Sequence, residues 1–249
     1  MRNVWTFAKR EFKHYFITPI AYIVALVALL TVGILFVIQI YYAAGQSLYY
    51  TGTAPDASII IGPLATVFLL TTPALTMRLL ADEQRMGTME LLLTAPVKDW
   101  ELVVGKWLGS FLFSLSLIAV TLIFPLILNK LVSPGIDQGI MTAGYLAIIL
   151  LIAAYLAVGT AMSAIFSNQF AAFFATLVVL MALWWLIHLP TYIVKVDAIN
   201  NVLNYLDLNA RFSNMLSGKV ALSDILYPLS LTAFGLFLGS VVVEMRRWQ

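Results

Sequence analysis

Two Gly-Lys dipeptides pose the first chemical question, because a phosphate-cradling loop needs G-x-x-x-x-G-K-[ST], with lysine on the phosphates and a hydroxyl on magnesium. Gly105-Lys106 is followed by Trp107, and Gly218-Lys219 by Val220. Neither forms such a loop, so an ATP-driven cycle would need a second polypeptide. The sequence contains no H-E-x-x-H or G-x-S-x-G pattern, and His14 and His188 fall on opposite sides of the topology derived below. Serine and threonine within apolar helices ordinarily bond to backbone carbonyls. The absence of cysteine removes disulfides, thiolate metal sites and cysteine nucleophiles. No catalytic, cofactor-binding or metal centre is therefore predicted in this chain, and nothing in it points to nucleic acid.

Ion-coupled transport makes a different demand: ionisable residues near midmembrane, or helices broken around an ion. Arg78, His188 and Glu244 lie near the ends of apolar runs, and no Asp, Glu or Lys is central in any of them. What remains is one charge-rich connection, residues 82–106, between two long apolar runs. Gly87 can break the preceding helix, and Thr88 can cap a new one by accepting from the amides that follow. Glu90 would then face the positive helix end. Leu91, Leu92 and Leu93 add an apolar patch of the kind that marks contacts, and Pro96 stops the helix. Asp99 is expected to cap the re-entering helix near Trp100, with Glu101 in its first turn. A short docking helix and a turn are predicted.

The elements that carry this connection follow from composition. The chain of 249 residues is 62% hydrophobic and 10% charged, with mean hydropathy +0.96, against about 25% charged residues in soluble domains. A membrane-spanning helix needs about 20 apolar residues. Six such runs are read at Ile20–Ile40, Ile59–Leu80, Leu108–Leu128, Thr142–Phe166, Phe170–Leu189 and Ile225–Val243. The expected fold is an all-α polytopic membrane protein forming one domain over residues 1–249. The first run exceeds the roughly 7 to 15 apolar residues of a secretory signal and is read as retained.

Positive charge sets the orientation. With the N-terminus inside, Arg2, Lys9, Arg10, Lys13, Arg78, Arg85, Lys98, Lys106, Arg246 and Arg247 are cytoplasmic, leaving Lys130, Lys195, Arg211 and Lys219 outside. Both termini are expected in the cytoplasm. Residues 1–18 read as an interfacial elbow helix. Val4, Trp5, Ala8, Phe12, Tyr15 and Phe16 share one side, and Arg2, Lys9, Arg10 and Lys13 the other, so the helix is expected to lie in the headgroup plane, with Trp5, Phe12, Lys9 and Lys13 at the membrane interface. Glu11 falls at the edge of the apolar arc and weakens it. Thr18-Pro19 turns the chain.

Residues 190–224 read as a semi-apolar outer loop with one or two short helices at the surface, where Ile199, Leu203 and Leu206 recur at helical spacing. Ser167, Asn168 and Gln169 make a minimal inner turn. Pro73 and Pro125 are expected to bend the second and third spans, and Gly105-x-x-x-Gly109 to be a close packing face.

The run from Ala81 to Val97, with Gly105-Lys106, resembles the first cytoplasmic loop of ABC type-2 transporter permeases. Thr18-Pro19-Ile20-Ala21-Tyr22, Leu75-Thr76-Met77-Arg78 and Tyr227-Pro228-Leu229 with Arg246-Arg247-Trp248 resemble in particular the gliding-motility-associated branch. The resemblance covers the whole chain. It implies a six-helix half-transporter, an exporter of the inner membrane, that pairs with a second permease of the same or a homologous chain and is driven by separate ATPase subunits carrying ATP and magnesium. An accessory membrane or extracytoplasmic protein is a further implied partner. By position, Glu83, Arg85, Gly87, Thr88, Glu90, Leu91, Leu92, Leu93 and Pro96 match the family's coupling loop. A lipid-like, hydrophobic or polymeric cargo fits spans without central charge. From residues alone, a non-transporting structural membrane subunit and an ion-coupled secondary transporter stay open as alternatives.

Overall fold

The computed structural model describes residues 2–46, 56–87, 97–132, 135–188, 203 and 205–247. Among these the chain is helical, with no strand. The helices are α1 (Arg2–Tyr15), α2 (Pro19–Gln46), α3 (Ser58–Thr76), α4 (Ala81–Arg85), α5 (Asp99–Thr121), α6 (Ile123–Leu131), α7 (Gln138–Ile165), α8 (Gln169–Trp184), α9 (Leu208–Leu216) and α10 (Leu222–Arg247). Among the described residues, five continuous or near-continuous stretches are long and apolar enough to cross a bilayer: Pro19–Tyr42, Ser58–Arg85, Asp99–Leu131, Gln138–Ile165 and Leu222–Arg246. The chain is a multi-pass membrane protein.

α7 is the axis of the bundle. In its most apolar window 78% of residues are buried, against 22% in α2, whose outward face carries exposed Ile23, Leu26, Leu30 and Ile34. Glycines let α10 press onto it: a Cβ on Gly235 would stand 2.9 Å from the Ala157 backbone. Opposite, Thr76 of α3 sits directly on Gly159. Tyr155, Ile148, Leu151 and Ile152 of α7 and Leu64 and Phe68 of α3 are fully enclosed between these surfaces.

Two helix breaks are repaired from α7. Proline lacks an amide and its ring clashes with the carbonyl four residues earlier. For Pro125 that carbonyl is Thr121, where α5 stops and α6 begins after one residue. The Tyr145 hydroxyl donates to the Thr121 carbonyl at 3.2 Å. The second break follows α3, where the chain turns through residues 77–80 into α4. There the Ser163 hydroxyl oxygen accepts from the amides of Leu80 and Ala81 at 3.0 and 3.1 Å, supplying partners that helix starts otherwise lack.

One expectation is corrected here. The fifth apolar run ends as an α-helix at Trp184, sixteen residues in all, followed by one 3₁₀ turn over Leu186–His188, rather than continuing to Leu189. The space beyond is occupied: buried Trp184 packs against Tyr155 of α7 and, at 5.6 Å between ring centroids, against Phe212 of α9. The short helix expected in the outer loop is present as α9, and one of its faces packs into the bundle. Asp207 caps it by accepting from Ala210 N, and Leu208, Phe212 and Met215 are buried. Their spacing is that of a helix with one apolar face. The stretch 189–202, with Ile199, lies outside the described residues.

The elbow end of the bundle gathers α1, α4, the start of α5, the ends of α7 and α10 and the start of α8. Arg246 donates to the Ile165 carbonyl at 2.9 Å, and Gln169 hydrogen-bonds to Asp82. The far end gathers the starts of α3, α7 and α10 with α9, where Leu216 approaches Gly62 and Gly144. Short as it is, α8 runs from Asp82 at the elbow end to Phe212 at the far end.

Candidate coupling site

α1 runs alongside α5 in steps of four residues, which keeps one helix face in contact. Asn3 Nδ2 donates to Glu101 Oε2 at 3.0 Å. A Cβ on Gly105 would lie 2.6 Å from Phe7 Cβ, and one on Gly109 2.5 Å from Glu11 Cβ and 2.9 Å from the Ala8 carbonyl. Tyr15 stacks on Phe113 at 4.8 Å between centroids. Its hydroxyl donates to the Leu75 carbonyl at 2.8 Å, and burial pushes that phenol well above its ordinary range, so it remains a donor. Gly105-x-x-x-Gly109 is thus the packing face for the elbow helix.

The face of α1 over Ala8, Glu11 and Tyr15 is buried against protein, because two glycines let the backbones approach. Glu11 belongs to that face and does not weaken it. Trp5, 58% exposed, turns away from α5, as do exposed Lys9 and Lys13. Phe12 is half-buried and meets Phe16 edge-on at 5.0 Å. The stretch Asp99–Leu131 has 33 residues, roughly 50 Å at 1.5 Å per residue, against about 30 Å of hydrocarbon. The turns of α5 that carry α1 can therefore extend past the hydrocarbon, where charge is tolerated.

A buried lysine sits at the centre of this end. Lys106, 3% exposed, places Nζ 3.0 Å from Glu83 Oε1 of α4 and 3.6 Å from Glu11 Oε2 of α1. Arg10 Nη2 reaches the same Glu83 oxygen at 3.2 Å. Around these pairs is a polar cleft of about 350 Å³, to which His14, Arg78, Asp82 and Met86 also contribute. Taking charges out of water costs several kcal/mol per ion, and good mutual geometry offsets it. One lysine thereby joins the two stems of the charge-rich connection and the elbow helix.

The stems are fixed on their other side too. Gln84 Nε2 donates to the Ala164 carbonyl at 2.8 Å. Leu80, at the base of α4, packs with Leu102 and Val103 of α5, Ala164 of α7 and Val243 of α10. α4 ends at exposed Arg85, and Gly87 has φ +68°, a left-handed conformation that glycine adopts without a Cβ penalty. The re-entering helix begins at Asp99, with Lys98 rather than Asp99 in the capping position. The reason is Glu101, which reaches back one turn to accept from Lys98 N at 3.2 Å and so satisfies the entering amide.

Of the loop positions singled out in the sequence, Glu83, Arg85 and Gly87 are brought together on α4 and its end. Thr88, Glu90, Leu91, Leu92, Leu93 and Pro96 lie outside the described residues. Glu11 and Ser163 were missed. A carboxylate within an apolar arc was a signal for Glu11, since such a group needs a partner when buried; nothing in the spacing marks Ser163.

Among curated proteins none matches this chain. The sequence model described as ABC-2 family transporter protein matches residues 46–206, which include the whole charge-rich connection and its buried lysine. That match covers more than half of the chain, which therefore belongs to the ABC-2 transporter family.

Proposed function

We propose that this chain is the membrane-spanning permease subunit of an ATP-driven exporter, with α4, the connection after it and the start of α5 receiving separate ATPase subunits. Family membership over residues 46–206 is the observation that carries the reading. The stems of the connection support it: Glu83 and Lys106, at 3.0 Å, hold departure and return points side by side, as a docking element requires. On this reading the elbow end faces the cytoplasm of a cell inner membrane, both termini are cytoplasmic, and ATP and magnesium reside on the partner. A second permease, the same or a homologous chain, completes the pathway. Exposed Trp5 with Lys9 and Lys13 contacts the bilayer interface. The gliding-motility-associated branch and an accessory membrane or extracytoplasmic protein are finer assignments resting on sequence resemblance alone.

Replacing Leu92 with Asp tests the docking role. Charge at a truly buried contact costs several kcal/mol in desolvation, so membrane insertion should be normal while ATPase co-purification and permease-stimulated hydrolysis are lost. Lys130→Ala, at the end opposite the elbow, should change neither. Retained ATPase binding and stimulation in a Leu92→Asp, Glu90→Ala and Thr88→Ala variant would place the docking site elsewhere.

A further inference from the structure

α4 is suspended between two bodies. On one side Ser163, Gln84 and Gln169 tie it to α7 and α8. On the other, Glu83 ties it to Lys106 of α5 and Arg10 of α1. Below both, Leu80 packs in a small apolar cluster with Leu102, Val103, Ala164 and Val243. Apolar contact at one end and directional charge pairs beyond it are the components of a pivot with a latch.

We propose that Lys106 is a positioning residue that latches the base of the inner connection to the elbow helix, so that α4 follows the α1–α5 pair and does not swing free about the Leu80 cluster. The inference deepens the docking reading and rests on it only for what the linked motion is used for. Its physical basis is charge balance in a desolvated place. Arg10 and Lys106 face Glu11 and Glu83, and the lysine is the member in contact with both carboxylates. Without its ammonium, Glu11 and Glu83 lose the cation that touches both, and the arginines left in the cleft are Arg78 and Arg10, whose side chain is 56% exposed. Like charges in a low-dielectric site repel strongly, and α4 is a single helix of five residues held at that side by its charge pairs. α1 stays on α5, because that contact is made by Gly105, Gly109, Phe7, Ala8 and the Tyr15–Phe113 stack.

The absence of native cysteine makes the test direct. Spin labels on cysteines introduced at Lys9 and Met86 report elbow to α4, and labels at Lys9 and Trp100 report elbow to α5, by dipolar distance measurement on the full chain in lipid nanodiscs without ATPase. Lys106→Met should lengthen and broaden the first distance and leave the second unchanged. Lys106→Arg, which keeps the charge, should leave both close to the parent. Adding Glu83→Gln to Lys106→Met should return the first mean distance towards the parent, since the repulsion is gone. That rescue is a signature a purely structural lysine would not show. If Lys106→Met cannot be prepared, Glu83→Gln alone, which keeps Lys106 on Glu11, should broaden the first distance and not the second. An unchanged first distance, equal disturbance of both, or absence of rescue in the double variant would overturn the latch. Because no ATPase is present, failure of a partner to bind leaves this result readable, and unchanged distances leave the docking reading standing.

Discussion

Buried charge is used differently at the two ends of the bundle. At the elbow end Arg10 reaches Glu83, 73 residues further along, with Lys106 joining both α1 and α4 to α5. At the far end Arg211 Nη1 meets Asp224 Oδ1 at 3.0 Å, only 13 residues on, and Ser223 at 2.9 Å, 12 residues on. There the guanidinium also lies over the Tyr205 ring, 4.9 Å from its centroid, while Tyr227 donates to the Leu206 carbonyl at 2.7 Å. A pair confined to one hairpin sets local geometry. A network joining three distant segments can transmit what happens in the connection between two of them.

Breaking the local pair should have the largest cost. Asp224→Asn leaves the Arg211 cation without its charge partner where Asp224 is fully buried, and removal of one member of such a pair costs about 3–5 kcal/mol. The thermal midpoint in detergent should fall clearly, while the Lys9–Met86 distance stays as in the parent. Replacing the pair by Arg211→Met with Asp224→Leu should recover much of the loss, since apolar substitutes for a buried pair are often neutral. A double variant no more stable than Asp224→Asn, or a displaced α4 in either, would erase the contrast between the two ends.

The next effect belongs to the elbow contact. Gly109→Ala puts a methyl 2.5 Å from Glu11 Cβ and 2.9 Å from a backbone carbonyl, and overpacking costs about 1–3 kcal/mol. Gly33→Ala supplies the matched control: its methyl would meet Phe124 at 3.7 Å, an ordinary contact, and alanine in a helix gains about 0.5–1 kcal/mol over glycine. Midpoints moving in opposite directions, with elbow cysteines more reactive only in the Gly109 variant, are expected. Equal shifts would refute the close approach of α1 to α5.

What the sequence made legible follows from the range of each interaction. Long apolar runs disclose spans because burial in lipid is a property of each run alone, and Gly105-x-x-x-Gly109 disclosed a packing face for the same reason. Pro125 likewise announced its break. Glu11 misled because its meaning depends on Lys106 of α5, which no local pattern supplies. Run length also overstated the fifth span, since apolarity does not distinguish residues that continue α8 from those that leave it in a 3₁₀ turn. The apolar face of α9 was visible as Leu208, Phe212 and Met215 behind the capping Asp207. Its burial is not legible locally, because it depends on Trp184 of α8.

The smallest and most discriminating contrast is between the two hydroxyls that α7 lends to broken helices. A lost neutral hydrogen bond costs about 0.5–1.5 kcal/mol net, and more when a buried group is left unpaired. Tyr145→Phe removes the donor to the carbonyl that Pro125 cannot engage, at 3.2 Å, and should lower the midpoint modestly. In a Pro125→Ala background residue 125 regains its amide and can pair with Thr121 itself, so the cost of Tyr145→Phe should shrink, a coupling that a double-mutant cycle resolves. Ser163→Ala leaves the amides of Leu80 and Ala81 without the oxygen that accepts from both, at a similar small cost. Those amides are at the pivot of α4, so Ser163→Ala should also broaden the Lys9–Met86 distance, whereas Tyr145→Phe should not. If both variants cost the same and neither touches α4, the elbow end is braced no differently from the far end, and the latch has no hinge to act on.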